Sequence, residues 1–379
     1  MELQTPATLH IICLDDPSQP VYGGVIDMHY RIRALANAGV RLHLHIFYKG
    51  KSPDLSVLRQ WADVVYTYPR KSPWLCFWRN EPFIVSSREH PDLYQRLAQD
   101  NHPVLFEGIH TTATVPALRK MYPERKLFLR AHNIESHYYN ELYHATSDWI
   151  RRIYFRREFL KIRTWEHATL PLFTSVWSIS TEETERLKSL NPSSLWIPAF
   201  IHFRNQRIHM LPALDAEKCT LLFHGNFSVD ENRISAEWLL NFFRNKSPES
   251  MELILAGKNL KACSFEPHAY VRQVSDPEFM EDLLTEADIV VLPGKQRSGV
   301  KIKLLESLAA AKRVICSPEI ASGSGLEQDL ICFENEEELS RLLLLCREGK
   351  LEQQFLNSIQ AFRRIYEPGK ITGQILEMI

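Results

Sequence analysis

The most constraining feature of this 379-residue chain is a rhythm that runs twice: short apolar strands alternate with amphipathic helices, the pattern loosens near residue 200, and then it restarts. The first series reads "TLHIICL", a helix "VIDMHYRIRALANAG" closed by Gly39, then "RLHLHIFY", "DVVYTY", "PVLFEGI", "KLFLRA" and "TSVWSIS". Strands separated by helices in this way cannot pair as hairpins, so they predict βαβ units and a largely parallel sheet. The polar, Pro-containing run "IHFRNQRIHMLPALDAEK" then reads as a connection between domains. The second series follows as "CTLLFHGNF", "MELILAG", "AYVRQV", "DIVVLPG", "RVICSP" and "DLICFEN". The chain length also suits two domains better than one core. The expected division is 1–199 for an N-terminal Rossmann-like domain, 200–358 for a C-terminal one, and 359–379 for a helical segment packing back on the first. Two doubly wound α/β domains would bind ligands beyond the carboxyl ends of their strands, in a cleft between them.

Composition narrows the functional classes. A net charge of −1 with 24% charged residues gives no global basic surface for nucleic acid, so any anion site must be local. No run approaches the length of a spanning helix, and the start "MELQTPATLHIICLDD" lacks the basic region and apolar core of a signal peptide, which predicts a cytoplasmic chain. The seven cysteines are scattered and never spaced Cys-x-x-Cys, so neither a disulfide framework nor a zinc site is expected. No Gly-x-Gly-x-x-Gly follows the first strand, and neither a nucleophile elbow nor a His-Glu-x-x-His occurs.

Local charge concentrates in "DIVVLPGKQRSGVKIKLLESLAAAKRVICSP", Asp288 to Pro318. A helix starting near Ser298 or Gly299 would present unpaired N–H groups and the positive end of its dipole, with Lys295, Arg297, Lys301 and Lys303 around it. On such a helix Gly299, Lys303 and Glu306 share one face, about 10 Å from first to last at the α-helical rise. That span matches the distance from a nucleotide's diphosphate to its ribose, whose vicinal hydroxyls suit a carboxylate. From spacing alone, the more ordinary reading is a solvated i, i+3 pair of Lys303 and Glu306.

This segment resembles the nucleotide-binding part of GT-B glycosyltransferases of the retaining family 4 type, the glycosyl transferases group 1. "LLFHGNFSVDENRISAEWLLNFF" is similar to the family's first strand, loop and helix of the C-terminal domain, and "ILAGKNL" to its next strand and turn. The likeness runs from about Leu221 to Gly325. It implies transfer of a sugar from a nucleoside diphosphate sugar to a hydroxyl acceptor, a glycan or glycolipid, with retention and with neither metal nor other cofactor. It further implies donor contacts from Gly225, Asn226, Arg233, Lys258, Ser298, Gly299, Val300, Lys301, Lys303 and Glu306. Two departures stand out: Ser298 occupies the place of a first acidic residue, and the loop after the first strand offers Asn226 and Asn232 with Arg233 adjacent, where relatives carry an Arg and a Lys. They leave open a catalytically degenerate, ligand-binding subunit, and an epimerase of the same fold also remains.

In the N-terminal half the resemblance implies that Gly23 and Gly24, ahead of a helix, lie against the donor phosphates. It places His110 in "FEGIH" and His132 in "RAHNIE" near the transferring sugar as hydrogen-bonding or proton-shuttling groups, with Glu107 and Glu135 behind them. Finally, "DWIRRIYFRREFLKIRTW", residues 148–165, sets six cations among aromatic and aliphatic residues. It reads either as a helix lying on an anionic membrane, on the inner face, or as a core-facing helix with a solvated basic side.

Overall fold

The computed structural model describes residues 7–20, 23–76, 78–203, 210–215, 218–246 and 250–379. Within them the chain divides into two compact units, Met1–Phe200 with Pro368–Ile379, and Ile201–Glu367. The first unit holds a parallel sheet of seven strands: β1 (Thr8–Cys13), β2 (Arg41–Tyr48), β3 (Val64–Pro69), β4 (Val104–Glu107), β5 (Leu127–Ala131), β6 (Ser175–Ser178) and β7 (Leu195–Trp196). Their spatial order is β3-β2-β1-β4-β5-β6-β7, so the winding reverses between β1 and β4. The second unit holds six strands, β8 (Cys219–His224), β9 (Met251–Gly257), β10 (Val271–Ser275), β11 (Ile289–Leu292), β12 (Arg313–Cys316) and β13 (Ile331–Cys332). They lie in the order β10-β9-β8-β11-β12-β13 and reverse between β8 and β11. In sheets of this kind the reversal opens a crevice beyond the strand ends. Glu107 and Gly108 end β4, His224 and Gly225 end β8, and Pro293 and Gly294 follow β11.

The strands form here because both of their faces are covered. Ile11 and Ile12 are adjacent in β1, point to opposite faces, and belong to two separate apolar clusters of the first unit. Each such side chain contributes roughly 1.5–3 kcal/mol on burial. The helix Gly23–Asn37 covers one face with Val25, Met28, Ile32 and Leu35, and ends where Gly39 adopts φ 84°. Ile371 and Ile375 of the C-terminal helix Pro368–Leu376 enter that same cluster.

The last segment differs from its expected boundary. Glu352–Ile365 forms one helix that belongs with the second unit, and the return to the first begins at Pro368 instead of residue 359. The reason is packing: Phe355, Ile359 and Phe362 are buried on that helix, whose N-terminal Glu352 pairs with Arg313 of β12. Part of the expected connection, 204–209 and 216–217, lies outside the described residues. All seven cysteines are free thiols, five of them buried.

Candidate functional site

In the second unit the predicted nucleotide segment begins later than its spacing suggested. The helix spans Ile302–Ala309 with Lys301 as its N-cap, and Ser298 to Val300 form a bend in which Gly299 takes φ 65°. A left-handed residue interrupts an α-helix, so Gly299 precedes the helix and does not share its face with Lys303 and Glu306. Leu304, Leu305 and Leu308 are buried beneath. Gly299 and Val300 are buried in the bend, and the Ser298 carbonyl accepts a hydrogen bond from Lys301 Nζ at 3.1 Å.

Lys303 does not pair with Glu306. Its Nζ donates to Asn232 Oδ1 at 2.9 Å and sits 4.8 Å from the centre of the Phe223 ring. Asn232 in turn donates through Nδ2 to the Asn226 carbonyl, which fixes its amide with the oxygen toward the lysine. Burial, reinforced by the Lys301 charge, brings the Lys303 ammonium down to about 8, while Glu231 opposes the shift. Lys301 Nζ lies 3.5 Å from Glu231 Oε2, and Glu231 Oε1 is buried with no hydrogen-bond partner. Below them His224 contacts the Ser307 hydroxyl at 3.2 Å, and that hydroxyl donates to the Lys303 carbonyl. Enclosure, with the Lys303 charge in the same direction, lowers the His224 imidazole to about 3, so it is a neutral strut.

Glu306 lies one turn along from Lys303. Its carboxyl has neither a hydrogen bond nor an ion pair among the described residues, and burial with the nearby Glu281 charge pushes it up to about 7. A half-buried carboxylate without a protein donor is a place where a ligand's donors would be gained at little cost.

The other expected contacts divide. Gly225 and Gly257 bring the ends of β8 and β9 together: a Cβ on Gly257, at φ +147°, would stand 1.8 Å from the Gly225 carbonyl oxygen. Asn226 uses its own side chain to close a turn onto the Ser228 N–H at 3.0 Å. Arg233 faces outward and pairs with Asp230 within its own helix, Asp230–Lys246. Lys258 is exposed, and its carbonyl accepts the Phe227 N–H. The structure therefore clusters Asn226, Ser298, Lys301 and Lys303 around Glu231 and Asn232, and sets Arg233 apart. Glu231 was not singled out from the sequence, because an acidic residue in a helix's first turn ordinarily reads as dipole compensation.

In the first unit, Gly23 and Gly24 form the first two residues of their helix and not a loop ahead of it, while residues 21 and 22 lie outside the described set. A Cβ on Gly24 would sit 3.6 Å from the His132 ring. His132 follows β5 directly and its Nε2 lies 3.1 Å from Asp27 Oδ2. Asp27 is the hub of a fully buried network: Arg130 approaches through Nε and Nη2 at 2.9 Å, Arg31 pairs with both Asp27 and Glu107, and the Phe200 N–H donates to Asp27 Oδ1 at 2.7 Å. Burial alone would raise the Asp27 carboxyl, but Arg130 and Arg31 overrule it and hold it well below its usual range. Asp27, Arg31 and Arg130 escaped the sequence reading, although a charge inside "KLFLRA" and an i, i+4 Asp/Arg pair in an apolar helix were visible signals.

His110 is not at the strand end but in the short 3-10 helix Ile109–Thr114, three residues beyond β4. Its Nδ1 is buried without a partner, and burial with the charges of Arg88 and His132 puts its pKa well below the ordinary value. Glu135 lies with Glu166 and Glu183 instead: burial, then those two charges, raise it to about 8. Asp27, Glu107 and His132 are close enough to share a metal ion. The two carboxylates are already matched by two buried guanidinium groups, so a divalent ion would leave the pocket with excess positive charge.

Residues 218–345 match the family model described as glycosyl transferases group 1. An uncharacterized 44.6 kDa protein in the cps region of Klebsiella pneumoniae is 23% identical over 88% of this chain and 89% of its own. Among solved structures, sucrose-phosphate synthase from Thermosynechococcus elongatus superposes with a TM-score of 0.67 at 15% identity, covering 98% of both chains. TarM does so at 0.68 and 11%, covering 100% of this chain and 99% of its own. Anabaena HepE, solved with UDP and glucose, gives 0.62 and 11% over 98% of each. These structures show the fold: two parallel-sheet α/β domains of the GT-B glycosyltransferase type.

Proposed function

We propose that this protein transfers a sugar from a nucleoside diphosphate sugar to a hydroxyl of a glycan or lipid-linked acceptor, in the cytoplasm and with retained configuration. The observation that carries the reading is the Ile302–Ala309 helix, where an unpartnered, enclosed carboxyl follows a desolvated lysine by one turn within the segment that matches the glycosyl transferases group 1. Lys303 and Lys301 neutralise the diphosphate, most strongly as charge builds on it when the glycosidic bond breaks. Glu306 accepts from the two ribose hydroxyls. The departing phosphate oxygen takes the acceptor proton on the same face, and His132, held by Asp27, and His110 contact the sugar. Balanced charge around Asp27 and Glu107 supports a reaction in which no metal is held there. The HepE complex recommends UDP as the first nucleotide to try, and the relative from a cps region recommends a polysaccharide or glycolipid acceptor.

The second reading, a binding subunit without catalysis, is favoured by Arg233 and Asn226, which spend their side chains on Asp230 and Ser228. Calorimetric titration with UDP, GDP, ADP and their sugar conjugates, beside Glu306→Ala, tests both. Selective binding of one nucleotide, weakened in the variant, together with acceptor-dependent loss of donor, supports the transferase. Binding without turnover of any conjugate supports the subunit. Failure of all nucleotides to bind the folded protein removes the donor site.

A further inference from the structure

The first unit exposes large apolar side chains from two separated stretches of chain. On the turn Pro73–Cys76 and just after it, Trp74 is 88% exposed, Leu75 71% and Trp78 85%, while Cys76 is buried. On the helix Trp149–Thr169, Glu158, Ile162, Glu166 and Thr169 are buried, so they define the inward stripe. The opposite stripe carries Trp149 at 69% exposed, Ile153 at 61%, Arg156 and Leu160, spaced four, three and four residues apart. Trp149, Ile150, Ile153 and Leu160 therefore face solvent, while Ile162 and Trp165 pack on the core of the first unit, so the helix is core-facing on one side and carries exposed apolar residues among its arginines on the other.

The two stretches are locked to each other. Lys161 Nζ donates to the carbonyls of Arg79 and Glu81, and Glu158 Oε2 accepts the Phe83 N–H at 2.7 Å. Segment 79–83 thus lies against the helix at Glu158 and Lys161, and Trp78 immediately precedes it. Fixing two tryptophans and a leucine in water costs free energy that folding does not return, and an exposed patch of this kind marks a binding surface.

Charge selects the occupant. Exposed residues of 148–160 include Arg151, Arg152, Arg156 and Arg157 against Asp148 alone, four minus one, or plus three locally, on a chain whose net charge is −1. A second copy of this chain would present the same positive charge in a two-fold interface and be repelled. We propose that Trp74, Leu75, Trp78, Trp149, Ile150 and Ile153, ringed by those arginines, form a surface that docks on an anionic lipid bilayer. Tryptophan rings settle at the headgroup level, and guanidinium groups beside them meet the lipid phosphates. No helix among the described residues is long and apolar enough to cross a membrane, so the contact is peripheral. The inference is independent of the sugar-transfer reading, because the test measures no nucleotide.

The full chain is sedimented with vesicles of phosphatidylcholine alone and of phosphatidylcholine mixed with phosphatidylglycerol, at low and high salt. The wild type is expected on the mixed vesicles and to leave them as salt rises. An Arg151→Gln, Arg152→Gln, Arg156→Gln, Arg157→Gln variant should partition at least about tenfold less and lose the salt response, since each basic residue near an anionic surface is worth about fivefold. Trp74→Ser with Trp78→Ser should also partition about tenfold less, yet keep the salt response, and the bound fraction should show weaker quenching by brominated lipid, the remainder coming from Trp149. All these positions are exposed, and unchanged circular dichroism confirms folding. Absence of wild-type binding at low salt, or binding equal in all three proteins, overturns the proposal. So does a wild-type dimer in the ultracentrifuge that the tryptophan variant returns to monomer, which would assign the patch to a second copy.

Discussion

Two groups of charged side chains in this protein, one buried and one half-buried, have opposite character. Around Asp27, carboxylates and guanidinium groups are matched: Arg31 and Arg130 answer Asp27 and Glu107, and the ends of β4 and β5 with the Gly23 helix are tied through them. Along the Ile302 helix, Lys303 meets only the neutral Asn232 oxygen and Glu306 meets no donor, so both are shifted toward neutrality. The matched cluster balances its charges without a ligand, though Glu107 Oε2 and Arg31 Nε stay without a hydrogen bond, and it serves to hold geometry. An unmatched pair leaves electrostatic stabilisation to be gained from a ligand, which the proposed function assigns to a nucleoside diphosphate sugar.

The largest effect expected from this contrast is on stability. Asp27→Ala leaves two buried guanidinium groups without their shared partner and should destabilise the first unit by about 3–5 kcal/mol, measured by urea unfolding followed by circular dichroism. A variant as stable as wild type would break the assignment of the network as a support. Glu306→Ala should do the reverse: unchanged or slightly higher stability in the same assay, with nucleotide affinity down about ten- to a hundredfold, the worth of hydrogen bonds to a charged group.

A third group sharpens the comparison because it lies between the two extremes. Glu135 titrates near 8 and Glu166 near 7 through burial, so in the folded state they hold protons that the unfolded chain releases above about 4.5. The native state then binds more protons, and stability falls as pH rises from about 4.5 to 8, by on the order of 5 kcal/mol for Glu135. Glu135→Gln should flatten that fall, as read from urea midpoints at the two ends of the window. The smallest effect is on binding. Ribose donors need ionised Glu306 and diphosphate needs protonated Lys303, so nucleotide affinity should rise toward pH 7, hold to about 8, and decline beyond, by a few fold at each limb. Lys303→Gln should remove the alkaline limb alone.

Much of the fold was legible because βα alternation and helix periodicity are local: Gly39 closes its helix, and each apolar run from "TLHIIC" to "DIVVL" is a strand. The helix start near Ser298 was misjudged because the backbone dihedral of Gly299 depends on how its loop packs. Arg233 was placed at the site by adjacency, yet on a helix adjacent residues diverge by about 100°, and it faces Asp230.

Sequence by itself thus determined which segments become strands and helices, where the chain divides near residue 200, and which stretch concentrates lysine with a carboxylate one turn away. Which charges meet was decided by tertiary structure. Asp27 and Arg130 are far apart in the chain and touch because β5 runs past the Gly23 helix, and Asn232 reaches Lys303 because β8 and β11 are neighbours in the sheet. Local pattern encodes the hydrophobic period. The balance of charge in a buried site is a sum over residues that only the folded sheet brings within hydrogen-bonding distance.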